Sequence, residues 1–404
     1  MNGSVPPPDP DLSGSVRVLV VSTSPQIWGA ERSFLGLAPL LTARGITLTL
    51  ASPPGQFAEA WSNLGLRHVD LAAPGHLGLR TAADGRPGAR ALMKEVATTA
   101  GSARRLAQLA RDADAVHSNS LWTHLDCAVA GRIARRPVVL ELHDLVRPGL
   151  GRRVLKAAMR LAACTVAISR AVAETVGSSN RRLRVIPQAV DAERFHPGAA
   201  DHSWRSRLSD RPDEPIVGVV GRVDPEKGIK TVVQAMAMLA GEAARSQLAV
   251  VGAPALDDGS YDRALRAEAL ALLGDRARFV GQVEDVSVVL RSLDVLVNAS
   301  ASEPFGLSVL EAQASGVPVI GTDAGGIPEF VTDGKTGLLV APGRPDELAA
   351  VLSRVLETPT LRHDLAVAAR ENVVAHHTLE ARATALAGVY RAVVGPRGGR
   401  RAVR

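Results

Sequence analysis

The sequence predicts an α/β protein made of two doubly wound parallel-sheet domains, and three observations carry that expectation. Short β-branched runs alternate with segments of helical apolar spacing along nearly the whole chain. After His196 the alternation gives way to the polar stretch PGAADHSWRSRLSDRPDEP, and then begins again. A chain of 404 residues exceeds what one compact core of ordinary size holds, while 46% hydrophobic and 22% charged residues suit two well-packed globular domains.

The elements follow in order. Residues 1–15, MNGSVPPPDPDLSGS, lack the basic and apolar regions of a signal peptide and read as a disordered tail. Val16–Ser22, VRVLVVS, is a continuous β-branched run, the mark of a strand buried on both faces, and Glu31–Leu41 after it has helical spacing. Further strands are expected at Ile46–Ala51, Ala115–Ser118, Pro137–Leu142, Thr165–Ser169 and Arg184–Pro187, which sets a first domain at residues 16–196. Within it Ala73–Arg90 holds four glycines and no sustained apolar period, so a mobile loop is expected there. Strands at Pro215–Gly221, Gln247–Gly252, Ala277–Val280, Val295–Asn298, Val317–Thr322 and Gly337–Val340 set a second domain at residues 201–375. An amphipathic helix over Thr378–Val394 follows, then a basic tail, GPRGGRRAVR, with nonspecific anion affinity. No unit of 20 to 50 residues repeats.

Composition excludes several classes. Aromatic residues make up only 3%, which argues against base stacking and hence against a nucleic-acid partner. Lys+Arg 47 against Asp+Glu 41 leaves +6, a modest bias toward anionic ligands. Lysine occurs only at 94, 156, 227, 230 and 335, and arginine and alanine abound, as in proteins of GC-rich bacterial genomes. There is no G-x-x-x-x-G-K-[ST] loop and no G-x-S-x-G elbow. The triplets Asp9-Pro10-Asp11 and Asp112-Ala113-Asp114 are rejected as metal sites, one lying in the tail and the other before a strand, away from the ligand edge. Cys127 and Cys164 sit in apolar segments without CxxC spacing and read as buried free thiols in a reducing cytoplasm. No run approaches the roughly 18 uncharged apolar residues of a membrane helix. The segment Gly151–Ala163 combines Arg152, Arg153, Lys156 and Arg160 with Val154, Leu155, Met159 and Leu161. It reads either as an ordinary surface helix or as one that rests on an anionic membrane surface at the inner face.

The stretch Ser302–Phe330, SEPFGLSVLEAQASGVPVIGTDAGGIPEF, places Glu303 and Glu311 eight positions apart around a Pro-Phe-Gly turn that opens an apolar helix. Gly306 lets backbone approach a ligand, and the free N–H groups of the helix start suit a phosphate or sugar oxygen. GRVDPEKGI, Gly221–Ile229, puts Arg222 and Lys227 on a loop at the carboxyl edge of a strand, where two cations can neutralise charge that grows on a phosphate. WGAER (28–32), VHSNS (116–120) and ELHD (141–144) also follow or end strands, and strand ends line ligand crevices.

The 302–330 stretch resembles the signature of retaining, nucleotide-sugar-dependent glycosyltransferases of family 4, and the resemblance covers most of the chain, most closely Arg184–Val340. It implies the GT-B fold: two Rossmann-like domains facing across a cleft, an acceptor-side domain completed by the helix 378–394 and a donor domain at 201–375. It further implies that Glu303 meets donor-sugar hydroxyls, that the backbone of Phe305, Gly306 and Leu307 meets sugar and diphosphate, and that Glu311 holds the ribose. Arg222 and Lys227 would stabilise the departing diphosphate in place of a metal, and Gly29 would let backbone approach a phosphate. His143 corresponds to a histidine near the reacting sugar. His117 and Asn119 either hold their own loop or meet the acceptor. No cofactor is implied, because the nucleoside-diphosphate sugar is a substrate, with a UDP-sugar preferred over a GDP-sugar. The acceptor is a hydroxyl of a glycan, a lipid-linked sugar or a small natural product. The chain departs from the pattern at Gln188-Ala189, where Asn-Gly is commoner, and at Ala299, where proline is usual. A nucleotide-sugar epimerase, a pseudo-glycosyltransferase and a noncatalytic sugar-nucleotide-binding protein are the alternatives.

Overall fold

The computed structural model describes residues 15–76, 89–177, 180–254 and 259–395. All but the innermost residue of each expected tail, and most of the loop expected at Ala73–Arg90, lie outside the described residues. The chain divides into two compact units, one running to Gln188 and resuming at Leu379, the other Ala189–Thr378.

The first unit has a seven-stranded parallel sheet: β1 Val16–Val21, β2 Ile46–Ser52, β3 Arg67–Asp70, β4 Ala115–Ser118, β5 Val138–Leu142, β6 Cys164–Ala167 and β7 Leu183–Val185, in the order β3-β2-β1-β4-β5-β6-β7. β3 has no counterpart in the sequence reading. Its four residues, RHVD, are exposed or half-buried throughout, so this edge strand carries no apolar run to betray it. The second unit has six parallel strands: β8 Ile216–Val220, β9 Gln247–Val251, β10 Ala277–Gly281, β11 Val295–Asn298, β12 Val319–Thr322 and β13 Leu338–Val340, ordered β10-β9-β8-β11-β12-β13. In each sheet the chain winds outward one way from the first strand and then the other way, so the order reverses between β1 and β4 and again between β8 and β11. Ligand crevices form at such reversals, beyond the carboxyl ends of the strands.

Residues 189–196, which the sequence reading assigned to the first domain, pack with the second unit. Val190 N–H donates to His377 O at 2.9 Å, and Arg370 donates to Phe195 O at 2.8 Å and to Ala192 O at 3.1 Å. Burial of Ala189, Val190 and Phe195 drives this placement.

The helix Leu379–Val394 belongs to the first unit and shares its core with the helix Gly29–Ala43. Leu386 and Tyr390 are fully buried with Phe34, Leu37 and Leu41, and a Cβ on Gly36 would lie 3.1 Å from Leu379, so a glycine lets the two helices meet closely. Arg382 is buried in the same contact. Its guanidinium bonds Glu141 of β5, itself buried, as well as the carbonyls of Pro187 and, at 2.8 Å, of Ile186. Cys127 and Cys164 are buried and outside any disulfide. Asp114 of the second Asp-x-Asp triplet pairs with Arg17 at 3.0 Å beside the amino ends of β1 and β4. Among the described residues no helix is long and apolar enough to cross a membrane.

A buried charge stripped of its partner is far worse than a buried pair replaced whole. Glu141→Ala is therefore expected to destabilise the first unit by about 3–5 kcal/mol, because Arg382 then lies buried without a counter-charge. Glu141→Leu combined with Arg382→Met should be much milder. Denaturant unfolding of the three proteins measures this, and an equal loss in single and double variants would contradict it.

Candidate active site

In the second unit the loops that leave β8 and β11 touch at the order reversal. Gly228 has φ of 63°, and a Cβ there would fall 1.9 Å from the carbonyl oxygen of Ala299, so no other residue fits without moving backbone. Ala301 N–H donates to Glu226 O at 3.1 Å and ties the loops together. This contact brings Lys227 Nζ to 3.0 and 2.9 Å from the two carboxylate oxygens of Glu303. Ser300 Oγ donates to the same carboxylate at 2.9 Å. Asp224 caps the turn Pro225–Lys227 by accepting Lys227 N–H at 3.2 Å, and its other oxygen lies 3.3 Å from Arg222 Nη2. Lys227 is 24% exposed at its side chain and Arg222 55%, so both cations remain reachable from solvent.

The segment after Glu303 is held by glycines. Gly326 N–H donates to Glu303 O at 2.8 Å, and a Cβ on Gly325, at φ 64°, would lie 2.2 Å from the same oxygen. The Phe305 ring is a packing group: it is buried, stacks on Phe330 at 4.9 Å and meets the edge of His377. Only its backbone, with that of Gly306 and Leu307, can face a ligand. Gly306, at φ 106°, caps the helix Leu307–Ala314, whose first N–H groups have no intrahelical partner. Glu311 is buried further along that helix, and Gln313 Nε2 anchors it to Thr336 O at 2.7 Å.

In the first unit the sequence-expected residues gather at the ends of β4 and β5. His143 Nε2 lies 2.9 Å from Asn119 Oδ1, and His143 Nδ1 faces Gln188 Nε2 at 3.5 Å. Gln188 is buried and accepts from Ser33 Oγ at 2.7 Å. Neither Gln188 nor Ala189 has a positive φ, and Arg135 is the one non-glycine among the described residues that does. His117 is fully buried between Glu141 Oε2, at 2.9 Å, and the Tyr390 hydroxyl, at 3.0 Å. Gly29 begins the helix Gly29–Ala43 and is exposed. Glu31 is structural: it accepts from Trp28 N–H at 3.3 Å and from Ser22 Oγ at 3.1 Å, joining the helix start to the end of β1.

Burial alone would push the Glu141 carboxyl up, but the Arg382 guanidinium, with His117 and His143, holds it well below the usual carboxylate range. Burial holds His143 below an ordinary histidine, against the pull of Glu141 and Asp144. Burial also raises Glu31.

The structure thus groups Arg222, Lys227, Glu303 and the backbone of 305–307 in the second unit, with Glu311 on the same helix, and groups His143, Asn119 and His117 in the first. Sequence reasoning passed over Arg382, Tyr390 and Ser300, and noted Gln188 only as a departure from an Asn-Gly turn. The signal for the first two was present: Leu379, Arg382, Leu386 and Tyr390 recur at helical spacing, so an arginine stands in an otherwise apolar stripe.

Two parallel-sheet units, with a lysine–glutamate pair and a glycine-capped helix start where the second sheet reverses, have the build of a GT-B glycosyltransferase. A family described as Glycosyl transferases group 1 matches residues 201–372, and Glycosyltransferase Family 4 matches residues 27–194. A D-inositol 3-phosphate glycosyltransferase of Acidothermus cellulolyticus is 31% identical over 309 residues, 69% of this chain and 67% of that protein. A 2-deoxystreptamine glucosyltransferase of Streptomyces kanamyceticus is 32% identical over 261 residues, 59% of this chain and 66% of that protein. The crystal structure of Anabaena HepE with UDP and glucose superposes with a TM-score of 0.78 at 22% identity, covering 93% of this chain and 99% of that one. The chain belongs to this family of glycosyltransferases. Its matches span about half to two thirds of the length of the curated relatives.

The shifted groups give the first unit a signed pH dependence. The native state holds protons on His143 and Glu141 less readily than the unfolded chain does, so their contributions are full at neutral pH and are lost on acidification. The loss from His143 starts as pH falls below its ordinary 6.5, and that from Glu141 below 4.5. Glu31 acts oppositely, its contribution being present below 4.5 and lost as pH rises through its folded value. Thermal melts of wild type and His143→Asn isolate the histidine: the difference between them should shrink as pH falls below about 6.5. A difference independent of pH would refute the assignment.

Proposed function

We propose that this chain transfers a sugar from a nucleoside-diphosphate sugar to a hydroxyl acceptor with retention of configuration. The observation that carries the reading is the Lys227 ammonium seated on the Glu303 carboxylate at the β8/β11 reversal, with Arg222 exposed on the same loop. A diphosphate that leaves a sugar gains negative charge, and fixed cations stabilise that charge without reorganising. Lys227 and Arg222 serve this role in the reading, so no divalent metal is needed. Glu303, turned by Ser300, takes donor-sugar hydroxyls, the N–H groups that follow Gly306 take a phosphate or sugar oxygen, and Glu311 takes the ribose. His143 meets hydroxyls from the first unit, where Asn119 and His117 support it and Gly29 opens the backbone to a phosphate.

In the proposed step the bond from the anomeric carbon to the diphosphate oxygen breaks while the acceptor oxygen bonds the same carbon from the same face. The acceptor proton passes to the departing phosphate oxygen. Uridine is the first base to test, since the Anabaena neighbour holds UDP. Polyhydroxylated rings are the first acceptors, since relatives are named for 2-deoxystreptamine and inositol 3-phosphate. The reading places the chain in the cytoplasm. It allows contact with an inner membrane face through the helix Leu150–Leu161, where Lys156, Arg160 and Arg182 line a cavity of about 370 Å³.

Lys227→Ala should lower turnover at saturating donor by at least about tenfold, or about 1.4 kcal/mol of transition-state stabilisation, with the fold retained. Unchanged turnover would remove the residue from the mechanism. Glu311→Gln should weaken UDP binding in calorimetry, whereas Glu303→Gln should mainly lower turnover and sugar selectivity. Equal losses of UDP affinity would contradict this division. Transfer should persist in excess chelator, and its strict loss, restored by Mg²⁺ or Mn²⁺, would overturn the metal-independent site.

A further inference from the structure

The cluster beneath His143 draws on an element that the transfer reading leaves idle, the helix Leu379–Val394. This helix sends Arg382 and Tyr390, two turns apart, into the ends of β4 and β5. Glu141 is ionised, with Oε1 on Arg382, while Oε2 lies 2.9 Å from His117 Nε2 in charge contact but outside hydrogen-bond geometry. The Tyr390 hydroxyl and His117 Nδ1 share a hydrogen bond at 3.0 Å.

At His143 the proton position follows from the partners. Its Nε2 donates to Asn119 Oδ1, which leaves a lone pair on Nδ1. The Gln188 amide faces that lone pair at a loose 3.5 Å. Glu141 Oε2 is only 4.0 Å from His143 Nε2, close enough for an unopposed carboxylate to draw a second proton onto the ring. The titratable groups around the ring are Glu141 and Asp144, which favour that proton, and Arg382 and His117, which oppose it. Arg382 therefore cancels the field of Glu141 while the buried site withholds solvent.

We propose that Arg382, by opposing Glu141, is a positioning residue that keeps His143 neutral in the single tautomer whose Nδ1 lone pair can accept a substrate hydroxyl. The substrate clause rests on the transfer reading, whereas the control of the ring's charge does not.

The test is histidine NMR of the full chain, with transfer kinetics beside it. In Arg382→Gln the carbonyl contacts can be kept but the charge is lost, and the midpoint of the His143 titration should rise by about one pH unit or more. Arg382→Lys, and Glu141→Gln combined with Arg382→Gln, should keep the midpoint near that of wild type. Turnover of Arg382→Gln should be low at neutral pH and recover at higher pH by the same interval, with KM for donor little changed. If Arg382→Gln does not fold, Glu141→Gln alone decides, because an unopposed Arg382 should move the midpoint down. An unmoved midpoint in the deciding variant, or turnover lost equally at every pH, would overturn the proposal and leave Arg382 a structural residue. A midpoint that moves as expected in a protein that transfers no sugar would instead sink the transfer reading and leave the charge control standing.

Discussion

The candidate donor site depends on one constraint: at the reversal of a parallel sheet, two loops that leave neighbouring strands in opposite directions must nevertheless touch. In the second unit the touch is backbone on backbone. Gly228 lies against Ala299, and Gly325 against Glu303, at distances that exclude any Cβ. Gly252 at the end of β9 lies as close to the end of β8, where a Cβ on Gly252 would fall 1.8 Å from Gly221 O. Without these glycines the loops separate, Lys227 and Glu303 no longer meet, and the cation and the carboxylate cease to be one site. The chemistry is set by side chains, but their spacing is set by residues that have none.

The two units use charge in opposite ways. Lys227 and Glu303 pair where water still reaches them, so a ligand that carries both anionic and hydroxyl groups can take each partner without stranding the other. Arg382 and Glu141 pair where water does not reach, and exchange there would leave a bare charge in the core. The first arrangement suits binding and release. The second fixes a local field and holds the ring of His143 in one state.

Nearly all of the architecture was legible in the sequence because strands buried on both faces of a parallel sheet announce themselves as unbroken apolar runs. Every run noted there is a strand in the structure, within a residue or two at its ends. β3 escaped because an exposed edge strand needs no such run. The residues that the second unit gathers at its sheet reversal were legible as a group too, since Glu303, Gly306 and Glu311 lie in one stretch of chain and Lys227 in another of like character. The support of His143 was not. It assembles residues as far apart as Ser33, Glu141, Gln188 and Arg382 through tertiary contact, and sequence spacing carries no record of which arginine will find which glutamate. Gln188 shows the difference most plainly. The sequence presents it as a departure from an Asn-Gly turn, while the structure shows a buried amide that bridges Ser33 and His143.

The placement of Leu379–Val394 also orders events during synthesis. All seven strands of the first sheet leave the ribosome before residue 189, yet Leu386, Tyr390 and the counter-charge of Glu141 follow only after the whole second unit. The second unit is thus an insert that can close its own core while the first still exposes Phe34, Leu37 and Leu41. The nascent first sheet must wait for nearly two hundred further residues with its apolar face open, which makes it the part of the chain most in need of chaperone cover.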